Sequence, residues 1–170
     1  MENTNQIYLI GMMGSGKSST AKALSLSLGW NFIDIDNEIT KSFDMSINEL
    51  FLRGEENFRK LEFAELQKHI LKENTVIAVG GGAVSYKDSY ELLSSKHCIY
   101  LKTSKNILLD RLKDDNSRPL LNVQNKDEVF EEIMLQREQK YEALCKSEVV
   151  TDNQTIQDNC NQIMEIINVQ

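Results

Sequence analysis

Five short apolar runs alternating with helix-forming stretches predict an α/β chain. The expected architecture has three layers, a five-stranded parallel sheet with helices on both faces. Two of the runs, TVIAV at residues 75–79 and CIYL at 98–101, are apolar without alternation, as strands buried on both faces are. A third observation is a glycine-rich loop set between the first strand and the first helix. At 170 residues the chain has the length of one domain with a full core, and 1–170 is read as a single unit.

Residues 7–10 (IYLI) form the first predicted strand, and residues 17–28 the first helix. Between them lies Gly11-Met-Met-Gly14-Ser-Gly16-Lys17-Ser18. Strand, glycine loop and helix in that order make a phosphate cradle, because glycine lets backbone N–H groups turn inward around an oxyanion. The helix start adds unpaired N–H groups and the positive end of a dipole. The pattern G-x4-G-K-S is that of a P-loop. Lys17 suits the β- and γ-phosphates, and the Ser18 hydroxyl suits Mg²⁺. Gly14, Ser15, Gly16, Lys17, Ser18 and Ser19 are therefore candidate ATP-binding residues. Gly29 stands where a C-cap glycine belongs.

The second predicted strand, residues 31–36 (NFIDID), ends in two acids. Two apart on a strand, Asp34 and Asp36 share a face. Asp36 suits holding or deprotonating a hydroxyl, and Asp34 suits Mg²⁺ through water. For either, the plainer alternative is an N-cap of the following helix. Ser46-Ile-Asn-Glu49 is a capping box that opens a short helix ending before Gly54. A longer helix covers 55–71. At about 100° per residue, Phe58, Phe63, Leu66 and Ile70 share one arc, with Arg59 and Glu62 inside it. A charge there must snorkel, pair or face a polar cavity. The alternative is a structural ion pair, with Glu55 as a further partner for Arg59.

After the buried strand at 75–79, Gly80-Gly81-Gly82 lets backbone approach a ligand closely; a strained turn is the alternative. The fourth strand is 98–101. Ser104 is read as the cap of a helix to about 113. Residues 114–126 are polar and irregular apart from Arg118-Pro-Leu-Leu121. A loop of that length reads as a mobile lid, whose arginine reaches a transferring phosphate. An exposed loop arginine is the alternative. The helix at 127–146 carries an apolar stripe of Phe130, Ile133, Met134, Tyr141, Leu144 and Cys145, with Arg137 in its middle. Two arginines embedded in apolar faces suggest a shared carboxylate, which a planar guanidinium grips with two parallel hydrogen bonds. For Arg137 the alternative is snorkelling. Residues 148–151 make the fifth strand and 156–167 the closing helix. His69 and His97 read as surface positions near element ends and receive no role.

The loop, the aspartates and the glycine triplet all follow strands, so a parallel sheet gathers them at its carboxyl edge. A net charge of −7 argues against nucleic acid or an anionic membrane as the main partner. Three widely spaced cysteines fit reduced thiols and offer no metal cluster. No apolar run is long enough to span a membrane, and the first residues lack a basic start, so a cytoplasmic protein is expected. Without an exposed apolar stripe in the sequence, a monomer is expected.

Taken in order, Gly11-x4-Gly16-Lys17-Ser18, Asp34-Ile-Asp36, Phe58-Arg59-x2-Glu62, Gly80-Gly81-Gly82, Arg118-Pro-Leu-Leu121 and Arg137-x3-Tyr141 resemble the shikimate kinases over nearly the whole chain. The resemblance implies a nucleoside monophosphate kinase-like fold, with a substrate-binding helical region at about 36–71. It implies transfer of the ATP γ-phosphoryl group to the 3-hydroxyl of shikimate, on the route to chorismate and aromatic amino acids. It implies Asp36 as the base that holds this hydroxyl, Arg59 and Arg137 on the shikimate carboxylate, and Gly81 backbone on the ring hydroxyls. Lys17 and Arg118 are implied at the moving phosphoryl group, Ser18 and Asp34 at Mg²⁺, and Arg111 and Gln154 beside adenine. Two rivals remain: a P-loop kinase for another hydroxy acid such as gluconate, and a nucleotide-binding switch without turnover.

Overall fold

The computed structural model describes residues 6–115 and 117–168. The ends of the predicted 1–170 unit, and Asn116 of the predicted lid, lie outside the described residues. Five strands form one all-parallel sheet in the order β2-β3-β1-β4-β5. They are β1 (Gln6–Ile10), β2 (Asn31–Asp34), β3 (Thr75–Ala78), β4 (Cys98–Lys102) and β5 (Ser147–Val150). The register pairs Leu9 with Ala78 on one side of β1 and with Ile99 on the other, so β1 is central and its following loop opens mid-edge.

Side chains alternate across the sheet, and the two apolar clusters follow that alternation. Ile7, Leu9, Val76, Ala78, Ile99 and Leu101 face α1 (Lys17–Leu28) and α8 (Ile156–Asn168). Tyr8, Ile10, Ile77, Val79 and Tyr100 face the larger cluster. That second layer is built from α2 (Ile35–Phe43), α3 (Ile47–Phe51), α4 (Glu55–Lys68), α5 (Lys87–Ser94), α6 (Lys105–Leu112) and α7 (Lys126–Leu144). The three layers and the five strands are as the sequence predicts. No helix among the described residues is long and apolar enough to cross a membrane.

Local signals act where expected. Gly29 closes α1 in the left-handed region at φ 67°, and Ser46 with Glu49 forms the complete capping box of α3. Ser104 does not cap α6 with its side chain; its N–H instead donates to Asp152 Oδ1 at 2.8 Å, from the turn after β5. Helix α5 has no counterpart in the sequence reading, while α2 answers to the N-cap alternative raised for Asp34. The strand expected at 31–36 stops at Asp34, whose carboxylate accepts the Asn37 N–H at 3.1 Å and starts α2. Asp36 therefore lies in a first helical turn, not on a strand. His69 is also corrected: it is 5% exposed, at the end of α4, with Nε2 3.2 Å from Glu65 Oε1. Buried Glu65, one turn earlier, meets its ring, and α2 packs along α4. His97 is half-buried in the turn before β4.

Candidate active site

The glycine loop begins where β1 ends and gives directly into α1, so its backbone is anchored at both ends by buried elements. Gly16 takes φ 89° at the helix start, a left-handed conformation that L side chains resist. The Lys17 ammonium folds back onto the loop, donating to the carbonyls of Gly11 at 3.0 Å and Met12 at 2.8 Å. Burial, with the Arg118 charge adding to it, pushes Lys17 down to about 8, against the pull of Asp36 and Asp34. Ser18 and Ser19 are exposed at the helix start, and the Ser18 hydroxyl donates to Asp34 Oδ2. Asp34 thus serves as helix cap and as partner of Ser18 together. Ser15 is buried behind the loop, its hydroxyl unpaired among the described residues.

These residues open into a cavity of about 540 Å³. Gly14, Gly16, Lys17, Ser18 and Ser19 line one part of it, Asp34 and Asp36 another, and Gly80, Gly81 and Arg118 a third. Two hard oxygen donors, the Ser18 hydroxyl and the Asp34 carboxylate, face one another on its wall, which is the donor chemistry Mg²⁺ takes. A smaller cavity of about 60 Å³ adjoins at Asp36, Gly81 and Arg118, which line both. Its further walls include Arg59, Glu62, Gly82 and Arg137.

The two helix arginines reach this second cavity in different states. Arg59 is ion-paired on its own helix, to Glu62 at 2.8 Å and Glu55 at 3.0 Å, and lies over Phe51 and Phe58. The ion-pair alternative therefore holds for Arg59, and the pair itself lines the cavity. Burial would lower the Arg59 pKa, but Glu62 and Glu55 together hold it above its ordinary value. Burial pushes the Glu62 carboxyl up to about 6, opposed by Arg59. Arg137 is 5% exposed and has no carboxylate within 4.0 Å among the described residues. Burial lowers its pKa. It does not snorkel: it is a buried guanidinium facing a cavity without a counter-ion.

The glycine triplet makes room for side chains. A methyl at Gly80 would collide with Glu62 Oε1, and one at Gly82 with the Arg59 guanidinium. At Gly81 it would meet the backbone N of Met13 at 3.2 Å. None of the three has positive φ, so close approach and not a strained turn requires glycine there.

Asp36 is half-buried where the two cavities meet. Burial raises its pKa and the neighbouring Asp34 adds to this, against Arg118, Lys17 and Arg59. Arg118 lies after α6 at the start of a 3-10 turn (Pro119–Leu121), with Nε 3.2 Å from Asp115 and Nη1 3.9 Å from Asp36. Arg111, exposed on α6, donates to the Gly14 carbonyl at 3.0 Å, at the edge of the glycine loop. Gln154 is exposed in the turn after β5 and lines neither cavity. Two further residues belong to the site without a role assigned from sequence. Met13 lines both cavities, and the Tyr141 hydroxyl donates to the Gly81 carbonyl at 2.5 Å. The signal for Tyr141 is its i+4 spacing from Arg137, hidden within an apolar stripe.

Comparison with known proteins agrees with this geometry. The shikimate kinase family model matches residues 13–168. The shikimate kinase of Francisella philomiragia subsp. philomiragia is 40% identical over 168 residues, covering 96% of this chain and 94% of the relative. The structure of Acinetobacter baumannii shikimate kinase in complex with shikimate superposes with a TM-score of 0.94 at 30% identity, covering 99% and 95% of the two chains. A deoxyadenosine kinase from M. mycoides aligns at a TM-score of 0.63 and 16% identity, a likeness of P-loop kinase fold alone. A phosphate cradle, a carboxylate at the junction of two cavities and two inward arginines thus occur together with whole-chain similarity, and the chain belongs to the shikimate kinase family.

Proposed function

We propose that this chain transfers the γ-phosphoryl group of ATP to the 3-hydroxyl of shikimate. The observation that carries the choice of acceptor is Arg137, a buried guanidinium without a carboxylate partner among the described residues, on the wall of a small cavity that opens at Asp36 onto the cradle. A small hydroxylated acid supplies the missing carboxylate and places a hydroxyl toward Asp36. A nucleotide-binding switch has no use for that cavity. A gluconate kinase shares the cradle and needs a different acceptor wall.

The residues then divide the work. Lys17 leaves the loop carbonyls for the β- and γ-phosphates, alongside the N–H groups of Gly14, Ser15, Gly16, Ser18 and Ser19. The Ser18 hydroxyl would hold Mg²⁺, with Asp34 supporting it through water, and the ion would supply neutralising charge at the phosphates. Arg59 and Arg137 grip the carboxylate, Gly81 meets the ring hydroxyls, and Asp36 orients the 3-hydroxyl and takes its proton. Arg118 exchanges Asp36 for the transferring phosphoryl group as the lid at 114–126 closes and excludes water. Phosphoryl transfer asks for this positioning and charge stabilisation more than for covalent help. Arg111 and Gln154 flank the adenine. The unit acts as one cytoplasmic monomer; light scattering on the purified protein checks the oligomeric state.

The test is ADP release with Mg²⁺ATP, alone, with shikimate and with gluconate. Release that depends on shikimate supports the reading, and release indifferent to it overturns the acceptor assignment. The pH profile follows from the two shifted groups. Asp36 works ionised, so kcat/KM for shikimate falls as pH drops through its raised pKa, above the ordinary aspartate value of about 3.9. Lys17 works protonated, so kcat/KM for ATP falls as pH rises through about 8 in the free enzyme. Profiles without these two limbs contradict both assignments. Gly82→Ala is expected to displace the Arg59 guanidinium and raise the shikimate KM by about tenfold or more, with the ATP KM little changed. Initial rates at varied shikimate and ATP measure this.

A further inference from the structure

Three consecutive glycines pose a problem at an acceptor site. Glu62 and Arg59 exclude a methyl from Gly80 and Gly82, so the segment cannot gain rigidity from side chains of its own. Glycine has the widest backbone freedom, and a peptide between two glycines rotates easily. Yet Gly81 and Gly82 line the acceptor cavity, and among the described residues their N–H groups meet no acceptor. These are donors whose direction matters, on three consecutive glycines.

The restraint comes from α7. Tyr141 is one turn beyond Arg137 and fully buried. Its ring stacks on Tyr100 of β4, with centroids 5.1 Å apart at 28°, so its hydroxyl is held from the centre of the sheet. The hydroxyl donates to the Gly81 carbonyl at 2.5 Å and lies 3.7 Å from Met12 Sδ in the glycine loop. The Gly81–Gly82 peptide is planar and trans, so holding its C=O toward Tyr141 turns the Gly82 N–H the opposite way. One hydroxyl thus ties the helix bearing Arg137 to the turn bearing the backbone donors.

We propose that Tyr141 is a positioning residue of the acceptor site, its hydroxyl fixing the Gly81–Gly82 peptide so that its N–H meets the substrate in register with Arg137. This rests on the shikimate kinase reading and adds a residue to it. Tyr141→Phe keeps the ring stack and removes only the hydroxyl. It is expected to raise the shikimate KM about tenfold, to leave the ATP KM within about twofold, and to leave the melting temperature near that of the parent. A lowered melting temperature with an unchanged shikimate KM, or an equal rise in both KM values, overturns the proposal in favour of a packing role. Amide exchange on the parent protein gives a second measurement. Shikimate, and not ATP, is expected to slow exchange of the Gly82 amide, and no slowing overturns the proposal. The functional reading fails separately, when the parent protein itself does not turn over shikimate.

Discussion

Replacing Asp36 by Asn is expected to cut turnover by about 10²- to 10⁴-fold, the usual contribution of a positioned proton acceptor. The amide keeps the size of the carboxylate and its place in the first turn of α2. It can still hold the acceptor hydroxyl, so the shikimate KM should move far less than kcat. Electrostatics adds a second signature. The Asp36 carboxylate opposes the burial-driven lowering of the Lys17 pKa. A neutral amide in its place exerts no such pull, so the alkaline limb of kcat/KM for ATP should shift to lower pH. Steady-state rates across pH measure both. A variant that keeps near-parental kcat would show that the hydroxyl proton leaves by another route.

Replacing Arg137 by Met is expected to raise the shikimate KM by about 10²- to 10⁴-fold, since two charge-assisted hydrogen bonds at about 1.5–3 kcal/mol each are at stake. The same change should not destabilise the protein. Arg137 is buried without a carboxylate partner among the described residues, so removing its charge relieves a desolvation cost. The melting temperature without ligand should stay level or rise, and the stabilisation by added shikimate should vanish. Arg137→Lys should fall between, because an ammonium keeps the charge and loses the fork. A KM unchanged in both variants would remove Arg137 from the carboxylate site.

Arg59 gives the contrasting result. Its removal leaves Glu62 buried near Asp36 without its ion-pair partner, a change of the kind that costs about 3–5 kcal/mol. Burial already pushes the Glu62 carboxyl up to about 6 against the pull of Arg59, so in Arg59→Met it moves further toward its neutral form, which keeps the loss toward the low end. Arg59→Met should therefore lower both shikimate affinity and thermal stability. Thermal melts with and without shikimate separate the two arginines.

Much of this site is legible in the chain because the signals are local. The glycine loop, its lysine and its serine carry their chemistry within eight residues. Arg59 and Arg137 stand out because a helix arc at about 3.6 residues per turn exposes a misplaced charge. The end of the strand at Asp34 is ambiguous for an equally local reason. Asn-Phe-Ile-Asp reads as a strand until its last carboxylate turns to cap the next helix, and the pattern carries both meanings. The burial of His69 is invisible because it depends on what packs over the end of α4.

The succession of strands along the chain, the cradle and the identity of the anomalous charges follow from the chain alone, since periodicity and loop chemistry need only near neighbours. What those charges do follows from the assembled fold. It pairs Arg59 with Glu62 and leaves Arg137 without a carboxylate among the described residues. It makes Gly80 and Gly82 berths for side chains rather than a strained turn, and brings Tyr141 to a carbonyl 60 positions away. The reason is physical: the cost of a buried charge and the direction of a glycine peptide are set by atoms that meet only when the sheet has assembled.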